Sequence, residues 1–198
     1  MKVTVFDYGA GNLHSLLKAL TGDGRRVETQ TDPSLATRTD VLVLPGVGAF
    51  GHAAARLAPG RDAIRAALDA GLPCLGICLG MQLLFDASDE GPGCGLGVFP
   101  GRVRRLEGER VPQIGWNTIE NAHDPLLDAA PLSVAYYANS YVCHPDDFAS
   151  VRAWSTHANT TFPAFVRAGR TIGVQFHPEK SSRAGVELIR AFLREVRS

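Results

Sequence analysis

Apolar and polar positions along the first half of this 198-residue chain switch repeatedly between a strand-like and a helix-like period. KVTVF (2–6) is a short β-rich run. Leu13, Leu16, Leu17 and Leu20 then recur at helical spacing over 12–21 and give way to glycines at 22 and 24, the mark of a helix that ends there. RVETQ (26–30) is a candidate second strand. DVLVLPG (40–46) is an almost continuous apolar run, which predicts a strand covered on both faces. RDAIRAALDAG (61–71) predicts a helix closed by a C-terminal glycine. LPCLGIC then predicts a strand and LGMQLLFDA a helix. Strand and helix in turn predict a parallel sheet with helices on both faces.

From about 98 to 177 the pattern changes. VFPGRVRRL, VPQIGWNTIE, SVAYYANSY, SVRAWS, FPAFVRAG and TIGVQFH are short strand-like runs split by Gly, Pro and Asn turns. They predict an antiparallel extension of the same sheet. A last helix, about 183–196, carries Val186, Ile189, Phe192, Leu193 and Val196 on one face. The expected fold is a three-layer α/β domain with a mostly parallel central sheet, flanking helices and an antiparallel extension in the second half. The length suits one domain spanning 1–198, with no internal repeat or linker.

Charge narrows the function classes. Lysine plus arginine equals aspartate plus glutamate, 20 each, so nothing favours nucleic acid or an anionic membrane as partner. No apolar run approaches the roughly 20 residues that span a bilayer, and MKVTVFDYGAGN lacks a signal-peptide pattern. Cys74, Cys78, Cys94 and Cys143 are too few and too scattered for a disulfide framework. Reduced thiols and a cytoplasmic location are expected. His14, His52, His123, His144 and His157 show no paired ligand spacing, so no metal is expected. The chain shows no phosphate loop or dinucleotide fingerprint, and no cofactor is expected.

The chemistry-bearing stretch is LPCLGICLGMQLLF (72–85). GICLG has the form of a nucleophile elbow, with cysteine where hydrolases often carry serine. A nucleophile on a tight strand-to-helix turn adopts strained backbone angles, and its neighbours must be small. A helix beginning at Leu79 would point its positive end at Cys78 and favour the thiolate. The Leu79 amide would then face a developing oxyanion. The competing reading is a small buried core residue, the role expected of Cys74. GVQFHPEKSS (173–182) offers a base and its orienting group. His177 ends a predicted strand, and Glu179 at i+2 shares its face in extended chain. A strand-end histidine with a solvated glutamate is the alternative. LPGVGAF (44–50) supplies glycine-rich backbone for a second oxyanion donor, or is simply a turn.

PGVGAF, GICLGMQLLF and GVQFHPEKSS in this order resemble the class I (triad-type) glutamine amidotransferases. DYGAGNLHSL, VPQIGWN and NSY make the pattern more similar to the glutaminase subunits of imidazole glycerol phosphate synthase. The resemblance runs from residue 5 to about 182. It implies that Cys78 attacks the side-chain amide of L-glutamine, that His177 moves the proton, and that Glu179 orients His177. It implies oxyanion amides at Val47 and Leu79, and substrate contacts at Gly48, Gln82, Glu90, Ser140 and Tyr141. It also implies a (β/α)8-barrel cyclase subunit as partner, because ammonia freed into neutral water is mostly protonated and no longer nucleophilic. DYGAGN, GWN and the segment around Tyr136 are the candidate docking face. Two positions depart from the pattern: Gln113 and Asn139 stand where the family leads us to expect histidines.

Overall fold

The continuous apolar runs become the centre of a seven-stranded sheet in the computed structural model, which describes residues 1–9, 11 and 13–197. The first half contributes β1 (Lys2–Phe6), α1 (His14–Leu20), β2 (Arg26–Gln30), β3 (Val41–Leu44), α2 (Phe50–Leu57), α3 (Arg61–Asp69), β4 (Cys74–Ile77) and α4 (Leu79–Gln82). The second half contributes β5 (Phe85–Ser88), β6 (Phe99–Arg105), β7 (Gln113–Thr118), α5 (Pro125–Ala129), β8 (Val134–Asn139), β9 (Tyr141–Pro145), β10 (Val151–His157), β11 (Thr160–Ala168), β12 (Thr171–Val174) and α6 (Ser182–Glu195). The strand order is β10-β11-β12-β4-β3-β1-β2.

Burial explains why these strands are central. β3, β4 and β12 are buried at every residue, as parallel strands covered on both faces must be. Alternate side chains feed two separate cores. Val41 and Val43 of β3 join Val3, Val5, Leu75 and Ile77 beneath α1 and α6. Leu42 and Leu44 join Phe6 and Cys74 against α2 and α3.

The second half divides more finely than its sequence pattern suggests. β10 and β11 do extend the sheet antiparallel. β12, however, pairs parallel with β4, from Thr171 opposite Cys74 to Val174 opposite Ile77. β6 pairs with β5 and β9 in a separate three-stranded sheet, and β7 with β8 forms a hairpin of its own. β6 and β8 alternate buried and accessible residues, and β7 is accessible beyond Gln113. Such strands suit the rim, with one face on the core and the other in water, better than a sheet covered on both sides.

Two other segments correct the sequence reading. LGMQLLFDA is helical only over Leu79–Gln82, and Phe85–Ser88 is a strand paired with β6. Residues 79–85 are all buried, so the apolar spacing there did not mark one face of a helix. α2 was legible but not anticipated: Phe50, Ala53, Ala54 and Leu57 are its buried side, at i, i+3, i+4 and i+7.

A charged knot ties β11 to both terminal-half helices. Asp124 caps α5 by accepting from the Leu126 amide at 3.0 Å. It also accepts from Arg167 at 2.7 and 2.9 Å. Arg167 reaches Glu195 of α6 on its other side at 2.8 Å. The Asp124 side chain is 1% exposed and that of Glu195 is 38% exposed. Asp124→Ala should therefore cost about 2 kcal/mol in urea unfolding, because it uncaps α5 and leaves Arg167 only its solvent-screened partner Glu195. Glu195→Gln should cost less than about 1 kcal/mol, as solvent already screens that contact.

Candidate active site

The carboxyl ends of β3, β4 and β12 lie side by side, the edge where open α/β sheets place their ligands. β4 stops at Ile77 and Cys78 turns the chain at φ 47°, ψ −105°, a conformation that costs a non-glycine residue about 1–3 kcal/mol. The turn survives because its neighbours lack side chains. A Cβ at Gly80 would sit 1.9 Å from the Leu44 carbonyl oxygen, and one at Gly76 would sit 2.7 Å from that of Gly80. The Cys78 amide donates to Val174 of β12 at 2.7 Å, and its carbonyl starts α4 by accepting from Gln82 at 3.0 Å. That helix is a single turn, so its charge effect at Cys78 is limited to the unpaired first-turn amides. Leu79 is the first of them.

His177 lies three residues beyond the end of β12. Its imidazole lies near enough to the Cys78 thiol for that group to raise its pKa, and through Nδ1 it is hydrogen-bonded to Glu179 Oε1 at 2.9 Å. The His177 and Glu179 side chains are 3% and 8% exposed. Their contact does not come from extended-chain alternation: residues 178–180 form a tight 3-10 turn led by Pro178, which curls Glu179 back onto the ring. Burial alone would discharge His177. The hydrogen bonds and charges of Cys78 and Glu179 overcome that, raising its pKa from 6.5 to about 10. A thiol, an imidazolium and a buried carboxylate in line are the parts needed for nucleophilic attack with proton transfer. Cys74 behaves as the core residue expected, with burial pushing its thiol well up.

The loop after β3 closes the other side. Tyr8, fully buried, donates its hydroxyl hydrogen to the Pro45 carbonyl. The Phe50 amide donates to Glu90 Oε2 at 2.8 Å. Between these two anchors Val47 and Gly48 face a cleft of about 370 Å3. Nine of the ten residues nominated from sequence line that cleft; Glu179 is the exception, standing behind His177. Gln82 gives both of its amide hydrogens away, to the Tyr141 carbonyl at 3.0 Å and to Gln175 Oε1 at 3.3 Å. It therefore presents only an acceptor to the cleft, beside the Glu90 carboxylate. Together they suit the ammonium of an amino acid.

The sequence reading missed Lys180, which lines the cleft, and Gln175, whose Nε2 lies 3.5 Å from Cys78 Sγ. Gln175 did carry a signal, a polar residue inside an apolar strand-like run. Gln113 and Asn139, the two departures, stand opposite each other in the β7–β8 hairpin. Both are buried, and Gln113 Oε1 and Asn139 Oδ1 have no partner among the described residues. Only Asn139 reaches the cleft. Among the described residues no cluster of His, Cys, Asp and Glu is placed to hold a metal.

Residues 4–196 match the family model described as glutamine amidotransferase class-I. The chain belongs to that family. This amidotransferase is 42% identical over 202 residues to imidazole glycerol phosphate synthase subunit HisH of Natronomonas pharaonis, covering 97% of this chain and 94% of that relative. It is 45% identical over 194 residues to the subunit of the same name from Symbiobacterium thermophilum, covering 95% and 91%. A crystal structure described as a glutamine amidotransferase superposes with a TM-score of 0.75 at 19% identity, over 99% of both chains. That likeness is one of fold, and it agrees with the α/β architecture expected.

The raised His177 has a consequence for the stability of the amidotransferase. The folded chain holds this proton more tightly than the unfolded chain, whose histidine releases it near 6.5. The stabilisation is complete below that pH and is lost as pH rises through the folded value, about 10. The thermal midpoint should fall over this window in the wild type. It should fall less in Glu179→Gln, measured by calorimetry at matched ionic strength.

Proposed function

We propose that this chain is the glutaminase subunit of an imidazole glycerol phosphate synthase, folded as one domain over 1–198, serving histidine biosynthesis. The observation that carries the mechanism is the Cys78–His177–Glu179 line at one edge of the sheet. The Cys78 thiolate attacks the side-chain carboxamide carbon of L-glutamine. The resulting oxyanion is received by the amides of Val47 and Leu79. His177 gives its proton to the departing nitrogen, the C–N bond breaks, and ammonia leaves a γ-glutamyl thioester. His177 then takes a proton from water as it attacks, and glutamate departs with the thiol restored. Glu179 holds the imidazole throughout. Gly48, Gln82, Glu90, Ser140 and Tyr141 hold the amino-acid head of the substrate.

Ammonia must then reach a second active site without meeting bulk water. The partner we propose is a (β/α)8-barrel cyclase subunit that builds imidazole glycerol phosphate and the aminoimidazole carboxamide ribotide. The outer side of the β7–β8 hairpin suits the docking role. Ile114 and Trp116 are 69% and 57% exposed there, and Trp116 stacks edge-on against Tyr136 at 6.2 Å. An exposed aromatic beside an aliphatic neighbour is the composition of an interface anchor. Ala138, two residues further along β8, lines the cleft, so this surface adjoins the glutamine site. Of DYGAGN, Tyr8 bonds the Pro45 carbonyl and Gly11 lies against Val47, both in the loop that borders the cleft; Ala10 and Asn12 lie outside the described residues. No described helix is long and apolar enough to cross a membrane. All four cysteines are free thiols, which suits a reducing cytoplasm.

Glutamate release from glutamine, measured with and without a cyclase barrel and its substrate, tests this reading. The barrel with its ligand should stimulate release strongly, and Cys78→Ala should abolish it. Glutamate release that survives Cys78→Ala would sink the mechanism. Trp116→Ala should weaken barrel binding by about 2 kcal/mol, roughly thirtyfold in Kd, while unstimulated release stays the same.

A further inference from the structure

The geometry points to Gln175 as a further catalytic residue: its side-chain amide donates a hydrogen to the Cys78 sulfur and holds the thiolate. The inference rests on the reading of Cys78 as the nucleophile.

Gln175 is fully buried, between Val174 and Phe176 in an apolar stretch. A carboxamide there is costly unless every end of it is used. Its backbone amide is committed to Ala164 of β11 at 3.0 Å, which fixes where the side chain starts. Which end of the carboxamide meets the sulfur is then decided by neighbours. The Tyr141 backbone carbonyl can only accept. It receives a hydrogen from Gln82 at 3.0 Å and another from Asn139 at 3.1 Å. Gln82 must therefore turn its nitrogen inward, and the atom of Gln175 that meets that nitrogen at 3.3 Å must be the oxygen. The N–H end of Gln175 is left facing Cys78 Sγ at 3.5 Å.

The chain of amides thus runs one way, from a carbonyl that cannot be reversed to a sulfur that receives. A neutral thiol is a weak acceptor. A thiolate accepts a charge-assisted bond, so the same donor favours the ionised form. The donor is neutral and cannot itself take the proton that His177 must carry. It therefore stabilises the thiolate without competing for the work of the base. Gln82 is then more than a substrate contact, since it is the residue that aims Gln175.

The test reads the thiol directly. Iodoacetamide labelling of Cys78 is followed against pH by peptide mass spectrometry in the full chain. Gln175→Met keeps the bulk and removes the donor, whereas Gln175→Glu keeps the contact from Gln82 but places a carboxylate beside the sulfur. Both should move the labelling midpoint upward, by about one pH unit for Gln175→Met. In glutamate release, kcat should fall about tenfold with KM little changed. A midpoint for either folded variant that superimposes on the wild type would overturn the inference while leaving the glutaminase reading intact. If instead Cys78→Ala keeps glutamate release, the reading of Cys78 as the nucleophile falls, and the labelling shift still decides whether Gln175 donates to the sulfur.

Discussion

The site depends on one close approach, that of the Gly80 backbone to the Leu44 carbonyl. A methyl group on Gly80 would stand 1.9 Å from that oxygen, so no other residue fits without moving a helix or a strand. The contact brings the end of β3 and the start of α4 together. It therefore places two things at once: the Cys78 turn before α4 and the Val47 loop after β3. Gly46 completes the arrangement from the third side. A side chain there would meet the His177 ring at 2.9 Å, so its absence lets the imidazole sit over the cleft. The three elements converge because two backbone positions, Gly80 and Gly46, lack side chains where they meet.

Burial sets the chemistry that this geometry permits. Moving a histidine out of water favours its neutral form, yet His177 is held charged by Cys78 and Glu179. The site thus balances a desolvation cost against two hydrogen bonds and two charges. That balance is sustainable only where the partners are fixed. Glu179 is fixed by the turn that Pro178 begins, and Cys78 by its amide bond to Val174. The strain stored at Cys78 is offset by the packed core around it, where Leu44, Leu79 and Met81 are almost fully buried.

Much of this was legible in the sequence because the signals were local and steric. GICLG announced its turn, and GVQFHPE announced its histidine and carboxylate. The apolar runs announced the central strands by having no polar side to show. The rest was lost where the cause is non-local. No spacing says that β12 returns to lie parallel with β4, while β6 and β7, of similar composition, leave for sheets of their own. LGMQLLFDA carried helical spacing by accident, as every residue over 79–85 is buried. Gln175 was overlooked because its partners, Gln82 and Cys78, are more than 90 residues away. Gln113 and Asn139 stood out singly as departures, and only the register shows that they face one another.

That hairpin also joins the cleft to the surface proposed for docking. β8 carries Tyr136 on its outer side and Ala138 at the cleft. The same strand holds the His177 turn by its backbone: the His177 amide donates to the Tyr136 carbonyl at 2.8 Å. The Ser181 hydroxyl accepts from the Tyr136 amide at 2.9 Å and donates to the His177 carbonyl at 2.7 Å. Two hydrogen bonds at Tyr136 and a third that closes the turn on itself tie the histidine turn to the strand. A partner seated on Trp116 and Tyr136 would bear on a strand already bonded to the base. One residue's backbone, that of Tyr136, separates the surface proposed for docking from His177, so a partner proposed to sit on this hairpin would press on the strand that holds the proposed base.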